Sequence, residues 1–441
     1  MTYSFKAIAT ALLVGSASLV GCDLVDIEDR PSPNGPSLDD VLANPTDASI
    51  RALAVGVEAS SRTRLGNYLE SVGVIGREYW RISTSDPRFT EDLLGKRDFT
   101  LDNNTFYLTA PWGSRYATIR NANTLLLAVD GNTSLSDEQK NGYRGFAKTW
   151  IAYQYLLNLN LTYENGIRFI EPGAELAGPV VGYDASLDRI ATLLDEAAID
   201  LEGATEPATT IDDTYSDAVN SFAEINRALA SRVDLYREDW QGVVDAVGES
   251  FFDEGEDLEA GAYHIFSFGS GDISNPFYLD PQASSDALLV HPSYLEDLEE
   301  GDSRSSKAVA RDSRTFDGLT SSFGVGVYSG PLAPLPIVTN GELVLNRAEA
   351  QARLGNSDEA ISGINEIRAA AGLDAYEGGG DADGLIAEIL QQRRYQLYAE
   401  GHRWIDVRRN GLLGTLPIDR VDDDVWEQFP IPVAENVDQN P

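Results

Sequence analysis

Apolar residues recur at every third or fourth position through most of this chain, a spacing that admits an array of packed helices and little else. Tyr116, Ile119 and Leu126 share one face of a segment at 112–129, and Tyr143, Phe146, Trp150, Tyr153 and Leu157 share one face at 137–163. Further helices are expected at 38–59, 187–201, 222–237 and 240–251. The clearest unit runs from Thr339 to Gly372. Thr339 and Glu342 have capping-box spacing, Gly355 stops a first helix, Asn356 with Glu359 opens a second, and Gly372 ends it. Its 34 residues are the tetratricopeptide period, and Ala348, Ala360 and Ile364 stand where two such helices would cross. A similar hairpin at 221–251 supports an array. The expected fold class is therefore mostly α, with tetratricopeptide-like helical hairpins. Long irregular loops at 79–107, 163–184, 262–292 and 304–336, rich in Gly, Pro, Ser, Asn and aromatics, have room for small β-hairpins.

The N-terminus reads as an export signal. Lys6 precedes an apolar run at 7–20, too short for a bilayer span of about 20 residues but suited to a signal peptide. The run ends in Leu19-Val20-Gly21-Cys22, which has the form of a bacterial lipobox. Cys22 is the only cysteine of the chain, so an internal disulfide framework is excluded and lipidation at Cys22 is expected. The expected organisation is a lipoprotein signal peptide at 1–21, an acidic, proline-rich tether at 22–36, and a single body at 37–441. An acidic run after Cys22 is similar to the surface-export signal of Bacteroidetes-type lipoproteins, whereas Asp23 by proteobacterial sorting logic favours inner-membrane retention.

Acidic residues number 71 against 33 basic ones, and the net charge of −38 argues against any nucleic-acid partner. No GxSxG elbow, HExxH helix, P-loop or dinucleotide glycine fingerprint is present, and His264, His291 and His402 are scattered. Residues 381–384 have a superficial calcium-loop look, but Gly379 and Leu390 stand where that loop needs carboxylates. Neither a cofactor nor a metal is expected, and no enzyme.

Several segments carry a family resemblance. Leu345-Asn-Arg-Ala-Glu-Ala-Gln-Ala-Arg-Leu-Gly355, Ile364-Asn-Glu-Ile-Arg368, Ala371-Gly372-Leu373 and the block from Gln392 to Gly411 resemble the C-terminal region of the SusD/RagB family. So do Phe429-Pro-Ile-Pro432 and Asn440-Pro441. Trp112, Tyr116, Ile119 and Asn121, and Gly301-Asp-Ser-Arg304, are smaller matches. Gln392 and Gln396 replace two glutamates usual in that family, which predicts a loosened local ion network. The resemblance implies a surface-exposed, lipid-anchored outer-membrane protein that binds oligosaccharides or peptides. It would deliver them to a TonB-dependent transporter of the SusC type, without catalysis. A surface glycan or peptide hydrolase and a protein–protein scaffold remain the other readings.

For such a ligand, aromatic faces on loops are the expected platform. Tyr79, Trp80, Arg81 and Phe89 in the first loop, Phe277 and Tyr278 in the third, and Tyr328 in the fourth are the candidate binding residues. Trp112 and Trp150 are expected in the core. Arg393, Arg394, Glu400, Arg403, Asp406 and Arg408 are expected to lock a helix ending at Gly401 onto the turn after it.

Overall fold

Pro45 breaks the first expected helix in two, because its ring removes a backbone donor. The computed structural model, which describes residues 38–174, 176–205 and 218–435, has α1 at Leu38–Ala43 and α2 at Asp47–Ser61. Thr46 and Ser49 cap α2 reciprocally. The export signal, Cys22, the tether and Asn440-Pro441 lie outside the described residues. Next come α3 (Leu65–Ile75), α4 (Phe106–Gly131), α5 (Asp137–Thr162), α6 (Tyr183–Leu201), α7 (Phe222–Tyr236) and α8 (Trp240–Gly248). Short α9 (Pro292–Glu296) precedes α10 (Asn340–Arg353), α11 (Ser357–Ala370), α12 (Ala382–Gln396) and α13 (Arg403–Arg409).

Helix α4 begins earlier than its apolar period suggests and runs through Pro111. Proline there leaves the Tyr107 carbonyl without its helical donor. The Ser71 hydroxyl of α3 supplies one at 3.0 Å. From α4 onward each helix packs on the next, α4 on α5, α5 on α6, α6 on α7 and α7 on α8, then α8 on α10 and α10 on α11. This is the expected helical-hairpin array. Ala348 faces Gly363, where an added Cβ would lie 3.0 Å from the alanine methyl, so α10 and α11 cross on small residues. A second, smaller core of Val344, Leu345, Ala348, Ala360, Ile364, Ile367, Leu385 and Ile389 lies between α10, α11 and α12.

Two capping expectations change. The Thr339 hydroxyl accepts the Glu342 N–H, but the Glu342 carboxylate leaves the cap for Arg232 of α7, at 2.6 Å from Nε. Both side chains are buried. Asn356 makes no side-chain cap and donates to Gln351 instead.

The loops hold the strands. β1 (Tyr79–Ile82), β5 (Ala287–Val290), β7 (Leu319–Val325) and β6 (Ala308–Phe316) form an antiparallel sheet in that order, with β6 and β7 as a hairpin. β2 (Ile167–Arg168) pairs with β3 (Val180–Val181), and β4 (Gly261–His264) with β8 (Leu335–Thr339).

After α13 the chain runs back across the first half as an extended strap. Asp424 N–H donates to the Leu94 carbonyl (2.8 Å), Phe429 N–H to Leu161 (2.8 Å) and Val433 N–H to Asn103 (3.0 Å). Arg77, with its side chain fully buried, donates to the carbonyls of Pro417 and Asp424. Trp404 fixes the strap from the other side through the Trp426 carbonyl.

Candidate ligand-binding cleft

The strap ends against α4 and β2 and closes a cleft of about 500 Å³ there. That volume falls within the range of about 300–1,000 Å³ for small-molecule sites. Trp112, Tyr116 and Arg120 stand at i, i+4 and i+8 of α4, one stripe about 12 Å long. Arg168 and Ile170 come from β2 and the residues after it, Leu176 and Ala177 from the loop before β3, and Ala434 and Glu435 from the strap.

Each wall is held by its own chemistry. The Tyr116 hydroxyl donates to the Arg168 carbonyl at 2.7 Å and accepts the Arg168 N–H at 2.9 Å, which fixes β2 to α4. Burial pushes that phenol well above its ordinary range. The Trp112 indole N–H donates to Glu435 Oε1 at 3.0 Å, and Glu435 Oε2 lies 3.5 Å from Arg168 Nε. The Arg168 guanidinium also donates to the Gly178 and Glu435 carbonyls. Trp112 and Tyr116 sit with ring centroids 5.2 Å apart. Both are almost fully buried. Arg120 is exposed at the rim, and Leu176 is 81% exposed. The polar groups meeting in the cleft are thus two guanidinia and one carboxylate, planar groups that pair with vicinal hydroxyls.

The candidates named from sequence lie elsewhere. Tyr79 is wholly buried between Phe277 and Tyr398, and its hydroxyl donates to the Leu69 carbonyl. Trp80 is buried edge-on against His291 and donates to Asp419 Oδ2 at 2.9 Å. Burial alone would raise the Asp419 carboxyl, but His291, Arg77 and Trp80 together hold it below the usual range. Arg81 is tied to Glu70 and Asp286 and lies over the Phe89 ring. Phe89 is itself buried against Phe106. Phe277 is wholly buried on Tyr328, which is buried and donates to the Ala399 carbonyl. Tyr278 alone of the seven is half-exposed. The expected exposed platform is therefore corrected: six of these side chains are buried, with Tyr79 and Arg81 on one face of β1 and Trp80 on the other. Trp112, expected in the core, is buried as expected and also forms a wall of the cleft.

Arg393, Asp406 and Arg408 of the charged cluster act as a structural lock, whereas Arg394 turns to Asp297 and Ser293 and Arg403 makes no hydrogen bond or ion pair among the described residues. α12 stops at Gln396, not Gly401, because Ala399 and Gly401 take left-handed backbone (φ 66° and 87°) and turn the chain into α13. Arg393 Nε donates to Asp406 Oδ2 at 2.8 Å across that turn. Burial would raise Asp406, yet Arg393 and Arg409 hold it down to about 2. Arg408 donates to the Glu427 and Asn160 carbonyls, and burial lifts Glu400 to about 8. Gln392 does not loosen its surroundings: its Oε1 accepts from Arg304 at 2.7 Å, and its Nε2 donates to Glu388 at 2.8 Å. Gln396 likewise donates to Glu259.

Residues 331–440 match the SusD family. A stretch of 76 residues is 40% identical to a SusD-like protein of Formosa agariphila, an alignment that spans 15% of that relative's length. The fold extends the likeness to nearly the whole chain. A SusD superfamily protein of Bacteroides vulgatus superposes with a TM-score of 0.67 over 90% of this chain and 98% of the other. The chain has a SusD-like fold. Surface glycan-binding protein A of Bacteroides thetaiotaomicron, solved in complex with laminarihexaose, superposes with a TM-score of 0.71 over 89% of this chain and 98% of its own. NanU of B. fragilis does so at 0.68 over 92% and 98%. Sequence identities of 15–16% make these likenesses of fold. Within this SusD-like fold, no group of three or more His, Cys, Asp or Glu among the described residues is placed to hold a metal ion. No helix among them is long and apolar enough to cross a membrane.

Sequence reasoning passed over Arg120, Arg168 and Glu435. The signal for Arg120 was present, since it continues the Trp112–Tyr116 stripe by one turn. Arg168 and Glu435 lie 267 positions apart and only the strap unites them.

Proposed function

We propose that this SusD-like chain is a surface glycan binder that holds an oligosaccharide in the cleft between α4, β2 and the strap. The observation that carries the reading is that cleft, ligand-sized and lined by two guanidinia, a carboxylate and two aromatic residues. Support comes from a protein of the same fold solved with laminarihexaose. The chain binds and does not turn over its ligand. It is lipid-anchored through Cys22, and the ligand passes to a TonB-dependent barrel of the SusC type. With a net charge of −38, non-specific adhesion to an anionic surface is disfavoured, so docking on the barrel relies on a defined interface.

The test is calorimetric titration of a panel of oligosaccharides against the purified body, with Arg168→Ala and Glu435→Ala beside it. A cognate oligomer that binds wild type and loses at least tenfold affinity in either variant supports the cleft. Unchanged affinity in both folded variants moves the site elsewhere, and product release during titration overturns the non-catalytic reading. Recovery of the detergent-solubilised lipoprotein without a barrel, from cells expressing one, overturns the transporter partnership.

A further inference from the structure

Arginines on α12 and α13 are paired off almost completely. Arg393 donates to Asp406 and, at 2.7 Å, to Asn346 Oδ1. Arg394 donates to Asp297 Oδ2 and Ser293 Oγ, both at 2.8 Å. Arg409 grips both Glu349 oxygens at 2.6 Å and also reaches Asp406 Oδ1. Arg403 alone in this group has neither a hydrogen bond nor an ion pair among the described residues, and its Nε is buried without a partner. In a chain of 71 acidic and 33 basic residues, a guanidinium without a carboxylate runs against the overall charge balance.

No carboxylate pairs with it directly, and the Glu78 and Asp406 charges act on it only at a distance. Asp406, one turn along α13, is claimed by Arg393 and Arg409. Glu78, behind the turn, spends Oε1 on the Ala399 N–H at 3.0 Å. Burial, and then the Arg394 charge, pull Arg403 down to about 10. Arg403 lines a cleft of about 190 Å³ with Arg394, Gln391, Leu390, Val407 and Asp406, whose carboxylate is already held by Arg393 and Arg409. That space is too small for an oligomer but large enough for one charged group.

We infer that this cleft is a second binding site, taking a single small oxyanion group, a carboxylate or a sulfate, on the open end of Arg403 with Arg394 beside it. A planar guanidinium fork meets either group through two parallel N–H bonds, and the half-buried setting keeps solvent from screening them. The site does not depend on the glycan cleft and stands or falls separately.

The experiment is thermal-shift and calorimetric titration of the whole chain with sulfate, acetate and D-glucuronate, glucose as the neutral control, and chloride holding ionic strength constant. Saturable stabilisation by the anions but not glucose is expected. Affinity should fall at least fivefold in Arg403→Met, with Arg403→Lys intermediate because it keeps charge and loses the fork. Glucuronate binding more tightly than acetate marks a sugar-borne carboxylate as the occupant, and equal affinities mark the free anion. A crystal grown with selenate should place its anomalous peak at Arg403. Absence of saturable binding by all three anions, or equal affinity in Arg403→Met, overturns the site. Should that variant not fold, a selenate peak elsewhere, or none, does the same.

Discussion

Trp80 shows most plainly where residue-level reasoning failed. An aromatic beside an arginine in a loop reads as a stacking platform, yet β1 pairs with β5 and the indole is buried against His291 and Asp419. Nothing local to 79–82 announces a partner strand more than 200 residues away. Trp80→Ala should therefore lower stability by about 3–5 kcal/mol and leave oligosaccharide affinity of the folded fraction unchanged. Denaturant melts and titration separate the two effects. Glu58 yields a different expectation. It is 2% exposed with both carboxylate oxygens unpaired, and burial raises it to about 8 despite Arg62 one turn away. A carboxyl raised in the folded state favours folding fully below its unfolded value. That contribution is lost as pH rises through the folded value. Glu58→Gln should match wild type near pH 5 and exceed it by on the order of 4 kcal/mol near pH 9. Melting curves at the two pH values check this, and a variant less stable at both would refute it. Asp406→Ala should cost about 3–5 kcal/mol, because Arg393 and Arg409 would be left short of a buried partner.

Among elements, long amphipathic helices were legible and short strands were not. α5 and α7 follow from period, and the structure adds the caps, Ser136 with Gln139 and Ser221 accepting from the Glu224 N–H. α3, buried at nearly every position, lacks a polar face from which to read a period. β2 and β3 have two residues each, below any pattern a sequence can carry. Helix spacing is readable where glycine sets it. At Gly145 of α5 an added Cβ would come within 2.4 Å of Leu201 and 2.8 Å of the Ala197 carbonyl of α6. Gly145→Val should destabilise by about 1–3 kcal/mol through overpacking. Gly56→Ala, in α2 with open space around it, should add about 0.5–1 kcal/mol from helix propensity alone. Equal effects at the two glycines would show that packing is not what separates them.

The whole molecule depends on its strap, and so did the legibility of the site. The Trp112–Tyr116–Arg120 stripe could be seen in the sequence, but the cleft needs Ala434 and Glu435, which reach α4 only after the array has formed. A chain ending at residue 416 should lose ligand binding outright and melt well below the full chain, as read by circular dichroism. Retained affinity would place the ligand away from the strap. Arg77, Leu94, Asn103, Leu161 and Arg168 all find their partners among residues 417–435. Synthesis therefore runs opposite to closure, because the earliest helices reach the ribosome exit with their latch still untranslated. Until residues 417–435 take their places, the chain holds open sockets at Arg77, Leu94, Asn103, Leu161 and Arg168, and resistance to pulling or proteolysis comes only once they are filled.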